Sequence, residues 1–174
     1  MFRAALLAAV LLPSLATAAD NEVAVTIDDR GHVVARIQVP ASSDEVRALL
    51  ADTGGRLAAL STDTLSVTTT QDGNCEMVDR KTRGIFRPFA FRAKRCPTEN
   101  GWQETLVQSD DFTAYESEWQ VGESSEGTTE VVYRIQTEIN APVPNSIVRT
   151  NLKTAAGNML RSLVDVFRRA RVRN

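Results

Sequence analysis

The sequence is poor in the side chains that most site chemistry needs. Histidine occurs once, as His32, and cysteine twice, as Cys75 and Cys96. A single imidazole excludes a multi-histidine metal site, and two cysteines committed to each other leave no thiolate ligands, so neither a metal nor a cofactor is expected. A phosphate-cradling glycine loop is also missing. The stretch Gly122-Glu123-Ser124-Ser125-Glu126-Gly127 lacks the Gly-x-Ser-x-Gly spacing of a nucleophile elbow and reads as a polar turn. Twenty lysines and arginines nearly balance 22 aspartates and glutamates, for a formal net charge of −2. No global field draws in nucleic acid, which is not expected as a partner. After the first residues, no segment offers the roughly 20 uninterrupted apolar residues that span a bilayer, so stable membrane insertion is not expected either.

What is present begins with a leader. Arg3, the apolar run Ala4 to Leu15 and the small residues Ala16-Thr17-Ala18-Ala19 before Asp20 have the order of a secretory signal peptide. Residues 1–19 are read as that signal, residues 20–174 as a single domain, and the location as periplasmic or secreted. A chain of this length can bury about 70% of its unfolded surface. An exported compartment permits oxidation, and Cys75 and Cys96 are too far apart in sequence for a Cys-x-x-Cys thiol pair.

Alternation of apolar and polar residues marks Glu22 to Asp28 and His32 to Val39, either one strand interrupted at Asp29-Arg30-Gly31 or two. Ser42 and Glu45 then have the spacing of a capping box, and Val46, Leu49 and Leu50 form the apolar face of a helix that Gly54-Gly55 ends. A short second helix is expected around Arg56 to Leu60. From Thr64 the period is two. Strands are predicted at Thr64 to Thr70, Cys75 to Arg83, Phe86 to Cys96, Trp102 to Gln108, Phe112 to Val121 and Thr128 to Ile139. Beyond Pro142 and Pro144, with Asn145 or Ser146 as cap, Val148, Leu152, Ala155, Ala156, Met159, Leu160, Leu163, Val164 and Phe167 recur at three- and four-residue steps, the pattern of a long amphipathic helix. The arginines from Arg161 to Arg173 complement its macrodipole, with anionic lipid contact as the alternative.

If Cys75 to Arg83 and Pro88 to Cys96 form a hairpin with Arg83 opposite Pro88, every later pair is set. Cys75 then meets Cys96, Asp79 meets Arg92 and Glu76 meets Arg95. A one-residue slip loses all three coincidences, which points to this register and to a Cys75–Cys96 disulfide. The same register turns Val78, Phe89, Phe91 and Ala93 inward, and Arg80 with them. A buried cation needs a partner. Arg80 is therefore either structural, in an internal salt bridge or with its tip snorkelled near the sheet edge, or an anchor for an acidic ligand head group. The strand charges as a set, Glu104, Asp110, Asp111, Glu116 and Glu118 against Arg80, Lys81, Arg83, Arg87, Arg92, Lys94 and Arg95, are read as an exposed ladder on a solvated sheet face.

The segment Val33 to Leu50, the strand Phe112-x-x-Tyr115-x-x-x-Trp119 and the opening Gly127-Thr128-Thr129-Glu130-Val131 resemble the START-like (SRPBCC) superfamily, with its polyketide cyclase/dehydrase and coenzyme Q-binding relatives. The resemblance implies an α+β helix-grip fold. In it, a curved antiparallel sheet of about six or seven strands wraps a long C-terminal helix, with two short helices after the first strand. It also implies a cavity for a small hydrophobic ligand such as a lipid, quinone, sterol or polyketide-like molecule. Arg80, Phe89, Phe91, Leu106, Tyr115, Trp119, Tyr133, Ala156 and Met159 are its expected lining. Binding without catalysis is the leading expectation, by a protein whose default state is a monomer. A cyclase or dehydratase using Arg80 and Tyr115, and a surface interaction module with a filled core, are the alternatives.

Overall fold

The computed structural model describes residues 22–84 and 87–172. The leader read at 1–19, and the predicted strand start at Phe86, lie outside them. Where the chain first reverses, Gly31 holds φ +86°, a left-handed conformation that side chains with a Cβ rarely adopt. That turn separates strand β1 (Ala24–Ile27) from β2 (Val33–Val39), which pair with Ile27 opposite Val33.

The capping box forms as its spacing predicts: Ser42 Oγ accepts from the Glu45 N–H, and a Glu45 carboxylate oxygen accepts from the Ser42 N–H at 2.8 Å. It starts helix α1 (Ser43–Ala51), which buries Val46, Leu49 and Leu50. The Asp52 carboxylate then accepts from the N–H groups of Gly55 and Arg56, opening one wide helical turn, Thr53–Leu57, followed by a tight one, Ala58–Leu60.

Six strands follow: β3 (Thr64–Asp72), β4 (Cys75–Thr82), β5 (Phe89–Thr98), β6 (Gly101–Ser109), β7 (Phe112–Ser125) and β8 (Thr128–Ile139). All neighbours are antiparallel in one open sheet of order β1-β2-β8-β7-β6-β5-β4-β3. The sheet thus has eight strands, not six or seven, because the Gly31 reversal makes two strands of the first alternating stretch. Helix α2 (Asn145–Val172) ends the described chain. It begins one step earlier than the expected cap: the Pro144 carbonyl accepts from the N–H groups of Ile147 and Val148, so Asn145 and Ser146 are already helical.

The β4–β5 register is the predicted one, with Glu76 opposite Arg95, Asp79 opposite Arg92 and Lys81 opposite Ala90. The disulfide Cys75–Cys96 closes one end of it, with Cα atoms 4.3 Å apart. Asp79 and Arg92 form the expected exposed pair at 2.8 Å.

Burial divides the concave face in two. Helix α2 packs mainly on β2, β8 and β1. There Leu160, Leu163 and Val164 join Val33, Ala35, Ile37, Val131 and the α1 residues Val46, Leu49 and Leu50 in one apolar core. A second cluster, Phe91, Ala93, Phe112 and Tyr115, occupies the other side. No described helix is long and apolar enough to cross a membrane.

Candidate functional site

Period-two alternation brings Arg80 from β4, Arg95 from β5, Glu104 from β6 and Tyr115 and Ser117 from β7 to the same concave surface. They close a network. Arg80 Nη2 donates to Glu104 Oε1 at 2.8 Å, and Arg80 Nη1 to the Tyr115 hydroxyl at 3.3 Å. Tyr115 donates in turn to Glu104 Oε2 at 3.0 Å and lies 3.1 Å from Ser117 Oγ. Arg95 Nε sits 3.3 Å from Glu104 Oε1. The Arg95 guanidinium also donates to Thr53 Oγ1 at 2.7 Å and to the Leu50 carbonyl at 2.9 Å, tying the end of α1 to the sheet. It stacks 4.7 Å from the Trp102 ring. Thr53 donates onward to Glu76, whose carboxylate is 4.0 Å from Arg95.

Arg80 is therefore in an internal salt bridge, one of the structural roles its sequence position allowed, and not a snorkelled tip. The solvated ladder, by contrast, is not what Arg80 and three further members form. Glu104 and Arg95 are 1% and 2% exposed, and Asp111 is 5% exposed, accepting from the Ala90 N–H at 2.8 Å and pairing with Arg87. The physical reason is register: Arg95 shares a face with Val78 and Ala93, and Glu104 lies directly opposite it. Once one strand carries a cation inward, its neighbour must supply the anion. Glu118 does pair on the surface, with Arg134 at 2.9 Å.

Burial acts on these groups in opposite ways. Burial is the largest single influence on the Arg80 guanidinium and would lower it, but Glu104, Tyr115 and Tyr133 together outweigh it and the net movement is upward. In Arg95 burial wins over Glu104 and Glu76, and the movement is downward. Tyr115 is pushed well above the ordinary phenol range, first by burial and then by Glu104. Tyr133 moves up for the same two reasons.

Beside this network lies a cavity of about 410 Å³ between the sheet and α2. Val67, Arg80, Phe89 and Phe91 form its wall on the β3–β5 side. Tyr115, Trp119 and Tyr133 form the back, with Trp119 and Tyr133 ring centroids 4.4 Å apart. Helix α2 contributes Leu152, Ala155, Ala156 and Met159, residues whose small or flexible side chains leave volume. The exposed Asn151, Thr154 and Asn158 lie along the same flank of α2, so the cavity opens to solvent there. Eight of the nine predicted lining residues meet at this cavity. Leu106 does not: it stands opposite Ala93 and packs into the Phe91–Tyr115 cluster. Arg95 and Glu104 were the residues sequence reasoning missed. The signal for Arg95 was its position, which the hairpin register already turned inward. Among the described residues, no group of three or more His, Cys, Asp or Glu is placed to hold a metal ion.

An open, curved antiparallel sheet gripping a long C-terminal helix, with a cavity held between them, defines the class of helix-grip folds. Within that class the fold is START-like. Solved structures that share it include a START superfamily protein from Mycobacterium smegmatis, with a TM-score of 0.69, 17% identity and coverage of 80% of this chain and 98% of that one. A protein from Thermus thermophilus matches with a TM-score of 0.71 at 19% identity, over 80% of this chain and 98% of its own. The Zhui aromatase/cyclase from a Streptomyces species matches with a TM-score of 0.62 at 16% identity, over 77% and 88%. At these identities the likeness concerns the fold. No family model matches the chain, and no curated protein does.

Proposed function

We propose that this protein is an exported carrier that encloses a small hydrophobic molecule between its sheet and its C-terminal helix, without a chemical step. On this reading residues 1–19 are a cleaved leader and residues 20–174 one START-like unit working in the periplasm or outside the cell. One observation carries the proposal: the aromatic-lined cavity of about 410 Å³, open along one flank of α2. That volume falls in the range of small-molecule sites, roughly 300–1,000 Å³, and an apolar guest gains about 25 cal/mol per Å² of surface it removes from water. The disulfide is consistent with an oxidising compartment. Native mass spectrometry of protein purified from its own host, followed by solvent extraction, tests it. The expected result is a stoichiometric apolar adduct; repeated recovery of empty protein would count against a carrier.

A second reading, a cyclase or dehydratase acting on a polyketide-like substrate, is favoured by the Arg80–Tyr115 contact on the cavity wall. It draws support from the aromatase/cyclase among the solved structures of this fold. Turnover of an extracted ligand, lost in Arg80→Ala or Tyr115→Phe, would establish it. An unchanged ligand after prolonged incubation keeps the carrier reading.

A further inference from the structure

Two properties of the cavity's polar wall decide what kind of head group it can receive. The first is charge. Arg80 and Arg95 bring two cations, and Glu104 and Glu76 bring two carboxylates within 4.0 Å of them. The set is neutral as it stands, and the other two charged residues on the cavity lining, Asp63 and Arg83, add one charge of each sign. Arg80, the cation of this network that borders the cavity, is already paired with a Glu104 that is 1% exposed. A carboxylate or phosphate head group placed there would be a third anion beside that buried carboxylate, and an uncompensated buried charge costs several kcal/mol.

The second property is hydrogen-bonding sense. Both Glu104 oxygens are engaged, Oε1 by a hydrogen bond from Arg80 with the Arg95 guanidinium as an ion-pair neighbour, and Oε2 by a hydrogen bond from Tyr115. The side chain is also 1% exposed, so its remaining lone pairs are screened from a ligand donor in the cavity. Donors, however, are left over. Arg80 Nε is buried and without a partner. The Tyr133 hydroxyl, on the cavity wall, faces Ser117 and Tyr115 without closing a hydrogen bond of ordinary length to either. A buried donor left unmade costs about 1–3 kcal/mol, so this wall favours a guest that brings an acceptor.

Resting on the carrier reading above, we infer that the cavity selects an apolar molecule with a neutral hydrogen-bond acceptor, a ketone, ester or quinone-type carbonyl, and discriminates against one with an ionised acid head. The Tyr133 hydroxyl is the donor the carbonyl meets, with the Arg80 side chain behind it. The anchor for an acidic head group, one of the two roles Arg80 had from sequence, is thereby replaced: Glu104 has taken that place.

Competition binding on the full mature chain with its disulfide intact, using three probes of equal chain length, tests this. Methyl laurate supplies a neutral carbonyl, laurate an ionised carboxylate and dodecane neither. Methyl laurate is expected to bind at least about tenfold more tightly than laurate near pH 8, with an affinity flat in pH. Laurate should gain close to tenfold for each pH unit toward its own pKa, because only the neutral acid is admitted. In Tyr133→Phe the ratio of methyl laurate to dodecane affinity should fall several-fold, the worth of one neutral hydrogen bond. Laurate binding as tightly as its ester, with no pH slope, overturns the inference and leaves the carrier intact. Failure of all three probes to bind overturns both. Should the tyrosine variant not fold, the ester-to-acid comparison on the unmodified protein still decides.

Discussion

The two sides of the concave face solve the same problem by different means. Over β1, β2 and β8 the sheet is covered by α2, and the interface is dry and aliphatic: Val33, Ala35, Val131, Leu160 and Leu163 are all at 0% exposure. Over β3 to β6 the helix gives way to a cavity, and the strands are held instead by an ion-pair network, an aromatic cluster and a disulfide. The first arrangement stabilises through area removed from water, about 25 cal/mol per Å². The second fixes geometry while leaving room. A carrier needs both, because a sheet covered throughout by helix would have no interior to offer.

The largest difference between the halves should follow removal of the central anion. In Glu104→Gln, Arg80 and Arg95 lose the carboxylate they share, and breaking a buried pair from one side costs about 3–5 kcal/mol. Leu163→Ala on the covered side costs about 2–5 kcal/mol by leaving a void. Urea unfolding measures both. The sharper contrast is in repair: replacing Arg80, Arg95 and Glu104 together by apolar residues of similar volume should restore much of the stability, whereas no second change repairs Leu163→Ala so simply. If Glu104→Gln is silent, the open half is not held by its ion pairs.

Next comes the disulfide. The bridge closes a loop of sequence separation 21, and opening it should cost about 3 kcal/mol. In the double variant Cys75→Ala with Cys96→Ala, hydrogen exchange is expected to quicken in β4 and β5 first, with β2, β8 and α2 still protected. Uniform loss across the sheet would show that the two halves unfold as one unit and that the comparison has no energetic content.

How far these halves could be read from sequence differs as well. The covered half was nearly legible: the 3.6-residue spacing of Val148 to Phe167 and the Ser42–Glu45 box each follow from a local rule that nothing in the tertiary structure opposes. So was the β4–β5 register, since cysteines and two charge pairs coincide only once. The polar wall was not. Arg95 and Glu104 look like any other strand charges, and only a partner 9 positions further along the chain, on a strand whose register is interrupted by a bulge at Arg92/Ala93, makes their burial tolerable. Local pattern says which way a side chain points. It does not say whether a counter-charge will be waiting there, and that depends on pairing two strands at once.

The chain's only two tyrosines both lie on the cavity wall, Tyr115 on the open half and Tyr133 where it meets the covered one, which makes their titration a direct report on the cavity. Burial raises both phenols in the folded protein, whereas in the unfolded chain they ionise near pH 10. A raised folded value favours the folded state fully below that ordinary pKa. The advantage is lost as pH climbs from about 10 toward the folded values, at up to about 1.4 kcal/mol per pH unit for each tyrosine. Ultraviolet titration should therefore show no phenolate near pH 10 in native protein, two in urea, and a single cooperative rise at higher pH as the chain unfolds. A native phenolate near pH 10 would mean that water reaches the wall freely.

The smallest effect expected is also the most direct test of whether the cavity is real. Adding the same atoms on the two sides should have different consequences, because a close-packed interface must move to admit them and an empty one need not. Ala35 is fully buried on β2, opposite Tyr133 and within the apolar core. In Ala35→Leu the added carbons press on neighbours that have nowhere to go, at a cost of about 1–3 kcal/mol. Ala155 is half-buried on α2 and borders the cavity. In Ala155→Leu the new side chain can extend into open volume, so stability should change by less than about 1 kcal/mol, with sign set by how much water it displaces. Binding should respond in the opposite order. Ala155→Leu removes volume that a guest would use and is expected to weaken methyl laurate several-fold while the chain stays folded. Equal destabilisation by the two substitutions, with methyl laurate affinity untouched in the second, would mean that the space beside α2 is already filled.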